Sequence, residues 1–234
     1  MKGLLKDAEK QIYGNTAVFN KCRDDKQFAY VVALARAMNA LNSAHSLMLS
    51  TTGKETPAAL RDRMNSHFFV SAILYETLQL IKKMSPVYGK DKMFQDSLQT
   101  LLKDKTAQAL EQTHLKAVRR DAVFHYVPDR FAEAMAKTPI TECVFASTIG
   151  EKKGDIHYAF ADLIAAEMTV GGRLDDAAVV NSMMENMLNL VKQFIDHSEN
   201  FIAEQLNGWG FAVRPASPAS PEGPPPQVVR PCQE

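Results

Sequence analysis

The chain is short of the features that announce most common chemistries. Its three cysteines, Cys22, Cys143 and Cys232, lie far apart and lack C-x-x-C spacing. That argues against a disulfide framework and a thiolate zinc site, and fits a reducing, cytoplasmic setting. Net charge is missing as well: 27 basic and 27 acidic residues leave a balance of +0. No overall field draws in nucleic acid or an anionic membrane, so any anion site has to be local. No apolar run reaches membrane-spanning length, and Met1–Asp7 carries charges where a signal peptide needs an apolar stretch. The chain therefore reads as soluble and unsecreted, with no membrane partner. An internal repeat, a Gly-rich phosphate loop, a dinucleotide fingerprint and an activated-serine pattern are all lacking.

What is present is helical periodicity. Of the 234 residues 46% are hydrophobic, enough for a substantial core. Residues 1–26 are a polar lead-in, read as a short helix and loop with Gly14-Asn15 as a breaker. From Gln27 to Ser50, Phe28, Val31, Ala35, Met38, Leu41, His45 and Met48 recur every three or four positions, as on an amphipathic helix. Thr56 is a candidate N-cap with Pro57 at the first helical position. The helix after it, about 58–84, is apolar around most of its second half and is expected to lie centrally. Ser85–Gly89 is expected to break the chain. A helix follows from Asp91 to Lys103, then a fourth from about Thr106 through Leu110 and His114 into the stretch Ala117–Pro128.

After Pro128 the period resumes in Phe131, Ala134 and Met135. Thr141–Thr148 is read as an irregular or extended insert, Asp155–Val170 as helix, and 174–206 as a long final helix. Met183, Met184 and Met187 on that helix read as core filler. The fold class is thus all-α, a helical bundle over residues 27–210. Residues 211–234, rich in proline, read as a disordered tail.

Polar chemistry concentrates in one stretch, Ala117-Val118-Arg119-Arg120-Asp121-Ala122-Val123-Phe124-His125-Tyr126-Val127-Pro128. On an ideal helix the five-residue step from Arg120 to His125 leaves the two side chains about 140° apart. They converge only where the helix is distorted or ending, and Pro128 supplies a reason for it to end. Such a pair suits phosphodiester cleavage. The imidazole moves a proton to or from a ribose oxygen while the guanidinium binds the phosphate bidentately. Asp121 is placed to orient either group, and Tyr126 to bond a phosphate or stack on a base. No metal or other cofactor is called for.

Arg, a polar residue, three further residues and His, in the fourth helix of an all-α bundle, resembles the HEPN superfamily. Many of its members are metal-independent ribonucleases of toxin–antitoxin, abortive-infection and CRISPR-linked systems. The resemblance implies a four-helix core with extra C-terminal helices here, and a homodimer whose paired motifs form one RNA-cleaving cleft. It implies an antitoxin or other protein partner. Carried over, Arg120 matches the motif Arg, Asp121 the polar position and His125 the catalytic His, with Arg119 and Tyr126 beside them as RNA contacts.

Other readings stay open. The family tolerates longer spacings, and Arg61-Asp62-Arg63-Met64-Asn65-Ser66-His67 satisfies one, with Arg61 and Arg63 as a basic lip for RNA phosphates. Arg119, Arg120 and Asp121 also fit a solvated helix face, and His125 a hydrogen-bonded core histidine. Glu111-Gln112-Thr113-His114 has the Glu-x-x-His spacing of di-metal bundles, in a single copy where such sites need two. Glu76, inside an apolar helix, needs a partner, for which Arg36 is the candidate. The alternative to an RNA-acting protein is a catalytically inactive helical scaffold that binds a partner protein.

Overall fold

A computed structural model describes residues 10–13, 16–54, 56–137, 147–148, 157–170, 173 and 175–215. In order these form β1 (Lys10–Tyr13), α1 (Thr16–Cys22), α2 (Lys26–Ser50), α3 (Pro57–Tyr88), α4 (Lys92–Asp96), α5 (Leu98–Lys103) and α6 (Lys105–Leu110). Two π-helical turns continue α6, Glu111–Leu115 and Val118–Val123. Then come α7 (Pro128–Met135), β2 (Ser147–Thr148), β3 (His157–Tyr158), α8 (Ala159–Thr169), α9 (Ala177–Gly208) and β4 (Ala212–Pro215). The architecture is all-α, with two short antiparallel ladders, β1 with β4 and β2 with β3. No helix among the described residues is long and apolar enough to cross a membrane.

Caps place the helix starts. The Asp25 carboxylate accepts the Gln27 N–H at 2.6 Å, and the Thr56 hydroxyl accepts the Ala59 N–H at 3.2 Å, with Pro57 at the first helical position. Asp91 and Asp104 cap α4 and α6 in the same way, accepting from Phe94 and Ala107. Between them the apolar stripes close on one another. Val31, Leu34 and Leu41 of α2 meet Val70, Leu74, Leu78, Ile81 and Met84 of α3 in the main core. Leu98 and Leu101 of α5, Leu110 of α6, and Leu190, Val191, Phe194 and Phe201 of α9 complete it. The long last helix is therefore a wall of the bundle. A smaller cluster, Phe68, Val118, Ala122, Ala165 and Ala166, packs α8 and the second π turn on the first half of α3.

Several boundaries differ from those the sequence suggests. α3 does not break at Ser85 but runs through Pro86 to Tyr88. The proline leaves the Lys82 carbonyl without its intrahelical donor. Burial of Met84 and Tyr88 on either side holds the turn, as does the Tyr88 hydroxyl, which donates to the Gln27 carbonyl at 2.8 Å. The helix expected over 91–103 is two, α4 and α5, parted at Ser97 with φ −119° and ψ −91°. α8 starts at Ala159, because His157–Tyr158 are spent on pairing with Ser147–Thr148. Met135 is exposed where periodicity placed it in the core.

The N-terminal lead-in contributes β1 and α1, and the first residues past 210 contribute β4, joined in register from Lys10↔Pro215 to Tyr13↔Ala212. Gly210, with φ +92°, makes the reversal out of α9. Phe211 then stacks on Phe28 at 5.9 Å, beside an edge contact of Phe28 with Trp209 at 5.2 Å. Residues 141–146 of the expected insert, and the expected Pro-rich tail from 216 onward, lie outside the described residues.

Candidate functional site

The polar run of the sequence falls on the second π turn and the bend after it. In the first π turn the Thr113 hydroxyl donates to the Ala109 carbonyl at 2.8 Å, a side-chain bond that competes with the i→i−4 ladder. The second π turn stops at Val123. Tyr126 then adopts φ +44°, a left-handed backbone uncommon outside glycine, and the Val127 N–H reaches back to the Asp121 carbonyl at 3.3 Å. Pro128 opens α7 at its first position. The chain folds back over its own helix end, which returns His125 to the helix surface.

The guanidinium that His125 meets is Arg119, not Arg120. Arg119 Nη1 lies 3.4 Å from His125 Nε2. A guanidinium only donates, so Nε2 is the acceptor and the ring proton is on Nδ1. Arg119 Nε donates to Glu76 Oε1 at 2.6 Å, and its Cζ lies 5.6 Å from the centroid of the Phe124 ring. Glu76 is half-exposed rather than buried, and its partner is Arg119 instead of Arg36. Arg36 nevertheless shares its groove: a cavity of about 340 Å³ between α2 and α3 is lined by Arg36, Glu76 and Phe124 over a floor including Ala33, Ala37 and Ala72. Phe124, His125 and Tyr126 are all exposed.

Arg120 points the other way, since consecutive helical side chains diverge by about 100°. Its Nε donates to Asp121 Oδ1 at 2.9 Å, and that hydrogen bond, with the charge behind it, pushes the Arg120 guanidinium further up. Asp121 is buried and lies 3.9 Å from a second guanidinium, Arg130, which also bonds Glu133 at 2.8 Å. Asp121 thus orients two arginines and leaves the imidazole alone. Together with Lys116, Lys137 and Glu167 these residues line a polar cleft of about 380 Å³. Arg130 escaped the sequence reading; nothing in its local spacing marks it as Asp121's partner.

The second motif match separates. Arg61 pairs with Asp62 at 2.9 Å. Arg63 Nη2 donates to the Thr51 and Lys54 carbonyls at 2.7 and 2.8 Å, holding the α2–α3 loop. His67 is buried, 8% exposed, with its ring 5.1 Å from that of His114. Desolvation by burial, helped by the charge of His114, pulls the His67 imidazole down to about 3. Burial likewise pulls His114 down to about 4, against a hydrogen bond to the Thr169 backbone that pushes up.

His114 Nδ1 lies 3.3 Å from the Thr169 carbonyl, so Nδ1 carries its proton, leaving Nε2 to accept from the Ser71 hydroxyl at 3.1 Å. Glu111, its neighbour in the Glu-x-x-His spacing, instead takes Gln79 at 2.6 Å and the Lys82 ammonium. Among the described residues no group of three or more His, Cys, Asp or Glu is arranged to hold a metal ion. Comparison with protein-family models, curated proteins and solved structures finds no match to the chain.

Proposed function

We propose that this protein acts on RNA as a HEPN-like, metal-independent endoribonuclease, with Arg119 and His125 as the working pair. The observation that carries the reading is the 3.4 Å approach of Arg119 Nη1 to His125 Nε2 at an exposed helix end. The spacing is one residue longer than that from Arg120, a length the family tolerates, while the position after Arg119 holds Arg120 in place of the motif's Asn, Asp or His. A contact of that length is easily displaced by a phosphate, which takes the guanidinium as its bidentate partner.

His125 Nε2 then accepts the proton of the ribose 2′-hydroxyl as that oxygen attacks phosphorus. Arg119 neutralises the charge gathering on the phosphoryl oxygens. The bond from phosphorus to the 5′ oxygen breaks, leaving a 2′,3′-cyclic phosphate, and the departing oxygen takes a proton from solvent or from the imidazole of a second copy. Phe124 and Tyr126 offer ring faces to unstacked bases. The partners of this reading are RNA, a second copy of the chain in a homodimer, and a restraining protein of the antitoxin kind.

The test is cleavage of an RNA panel in excess EDTA by the wild-type protein and an Arg119→Ala, His125→Ala double variant. EDTA-resistant cleavage lost in the variant supports the reading. Equal cleavage by both proteins, or none by either, removes the enzymatic claim. The second reading, a catalytically silent scaffold that binds a partner protein, is favoured by one contact: Glu76 already occupies Arg119.

A further inference from the structure

A cavity of about 390 Å³ lies between the start of α3, the end of α2, α8 and the first half of α9. Its walls are almost wholly apolar and rich in methionine, with Met48, Met64, Met183 and Met184 among them. Besides the hydroxyl-bearing Thr52 and Thr169, two nitrogen-bearing residues break that character. Arg63 and His67, one helical turn apart on α3, both line the cavity, and Arg63 Nε and His67 Nδ1 are both shut off from solvent without a hydrogen-bond partner. Buried nitrogens in that condition are uncommon and costly. Arg63 is also a cation with no carboxylate within ion-pair distance among the described residues, its other bonds going to backbone carbonyls. The volume falls in the range of small-molecule sites, and the composition, mostly apolar with a few convergent polar groups, is theirs too.

We infer that this cavity is a binding site for an apolar monocarboxylate, a medium-chain fatty acid or a molecule of that shape. The hydrocarbon part lies among the methionines, whose flexible side chains adapt to it. The carboxylate supplies the acceptor and the negative charge that Arg63 Nε lacks, and an acceptor for His67 in the tautomer that puts the ring proton on Nδ1. Because those two nitrogens are shut off from solvent, binding includes a side-chain shift that turns them toward the cavity. The site is separate from Arg119 and His125, so it stands whether or not the protein cleaves RNA.

The experiment is titration calorimetry with three ligands of one chain length, decanoate, decanol and decylamine, below their aggregation concentrations. The expected result is saturable 1:1 binding of decanoate, at least tenfold weaker binding of decanol, and none of decylamine. Met184→Trp, which fills the cavity, is expected to abolish decanoate binding while leaving the far-UV circular dichroism unchanged. Arg63→Gln is expected to bring decanoate and decanol to similar affinity. Should either variant fail to fold, Met183→Trp and Arg63→Met take its place, the methionine removing the charge and the donors alike, with the same expected outcomes. Absent or non-saturable decanoate binding, equal binding of all three ligands, or undiminished binding in the folded cavity-filled variant overturns the inference.

Discussion

Lowering the pH from 7 to 5 acts most directly on the buried pair His67 and His114. Both rings are neutral in the folded protein, drawn down by burial to about 3 and about 4, whereas in the unfolded chain each titrates near its ordinary value of about 6.5. Below that value the unfolded state binds protons that the folded state refuses, so stability falls as pH falls. The contribution is complete above pH 6.5 and is lost progressively toward pH 4 and then 3.

At pH 5 both folded rings are still neutral. Each therefore costs about 1.4 kcal/mol per pH unit below 6.5, or about 2 kcal/mol, and the pair about 4 kcal/mol in order of magnitude. Against a total of roughly 5–15 kcal/mol for a domain this is a large fraction. Ordinary carboxylates, near pKa 4, contribute little in this window. Urea denaturation at pH 7, 6 and 5, followed by circular dichroism, measures it. A His67→Gln, His114→Gln variant is expected to lose most of the pH dependence whatever its stability at pH 7. A wild-type loss below about 1 kcal/mol, or an equal loss in the variant, means that the two rings do not set the pH dependence.

Leu74→Ala empties a site 1% exposed at the centre of α3. It is expected to cost about 2–5 kcal/mol in urea denaturation, with the slope unchanged. Asp121→Ala removes the acceptor shared by Arg120 and Arg130 and should cost about 1–3 kcal/mol, discounted toward the low end because both guanidiniums face water. Since Asp121 touches neither Arg119 nor His125, EDTA-resistant RNA cleavage is expected to survive that change in protein that remains folded.

The bundle was largely legible, for reasons that particular residues show. Phe28, Val31, Leu41 and Met48 recur at helical spacing and are buried, and Thr56-Pro57 start a helix as their chemistry requires. The sequence also marks α3 as central, and Phe68, Val70, Leu74, Leu78 and Ile81 are buried, although Phe69, part of the same apolar run, is 45% exposed. Pro86 misleads because a proline near a helix end costs one hydrogen bond, which buried neighbours on both sides outweigh.

The site was legible as a stretch and not as a geometry. Ideal helical angles put His125 with neither arginine. The two π turns and the positive φ of Tyr126 decide the matter, and neither has a local signature in the sequence. The sequence marks Glu76 as an acid needing a partner, but the partner lies 43 positions away, beyond any periodicity. The buried contacts of His67, His114 and Ser71 depend on how three helices pack, and Ser71 carries no sequence signal at all.

The claim on which the functional reading turns is that Arg119, and not its neighbour Arg120, works with His125. Initial rates of RNA cleavage in excess EDTA, for Arg119→Ala beside Arg120→Ala in folded protein, test it most directly. The expected result is a loss of at least a hundredfold for Arg119→Ala, in line with one charge-stabilising group, and less than tenfold for Arg120→Ala. The reverse order, or equal losses, contradicts the account.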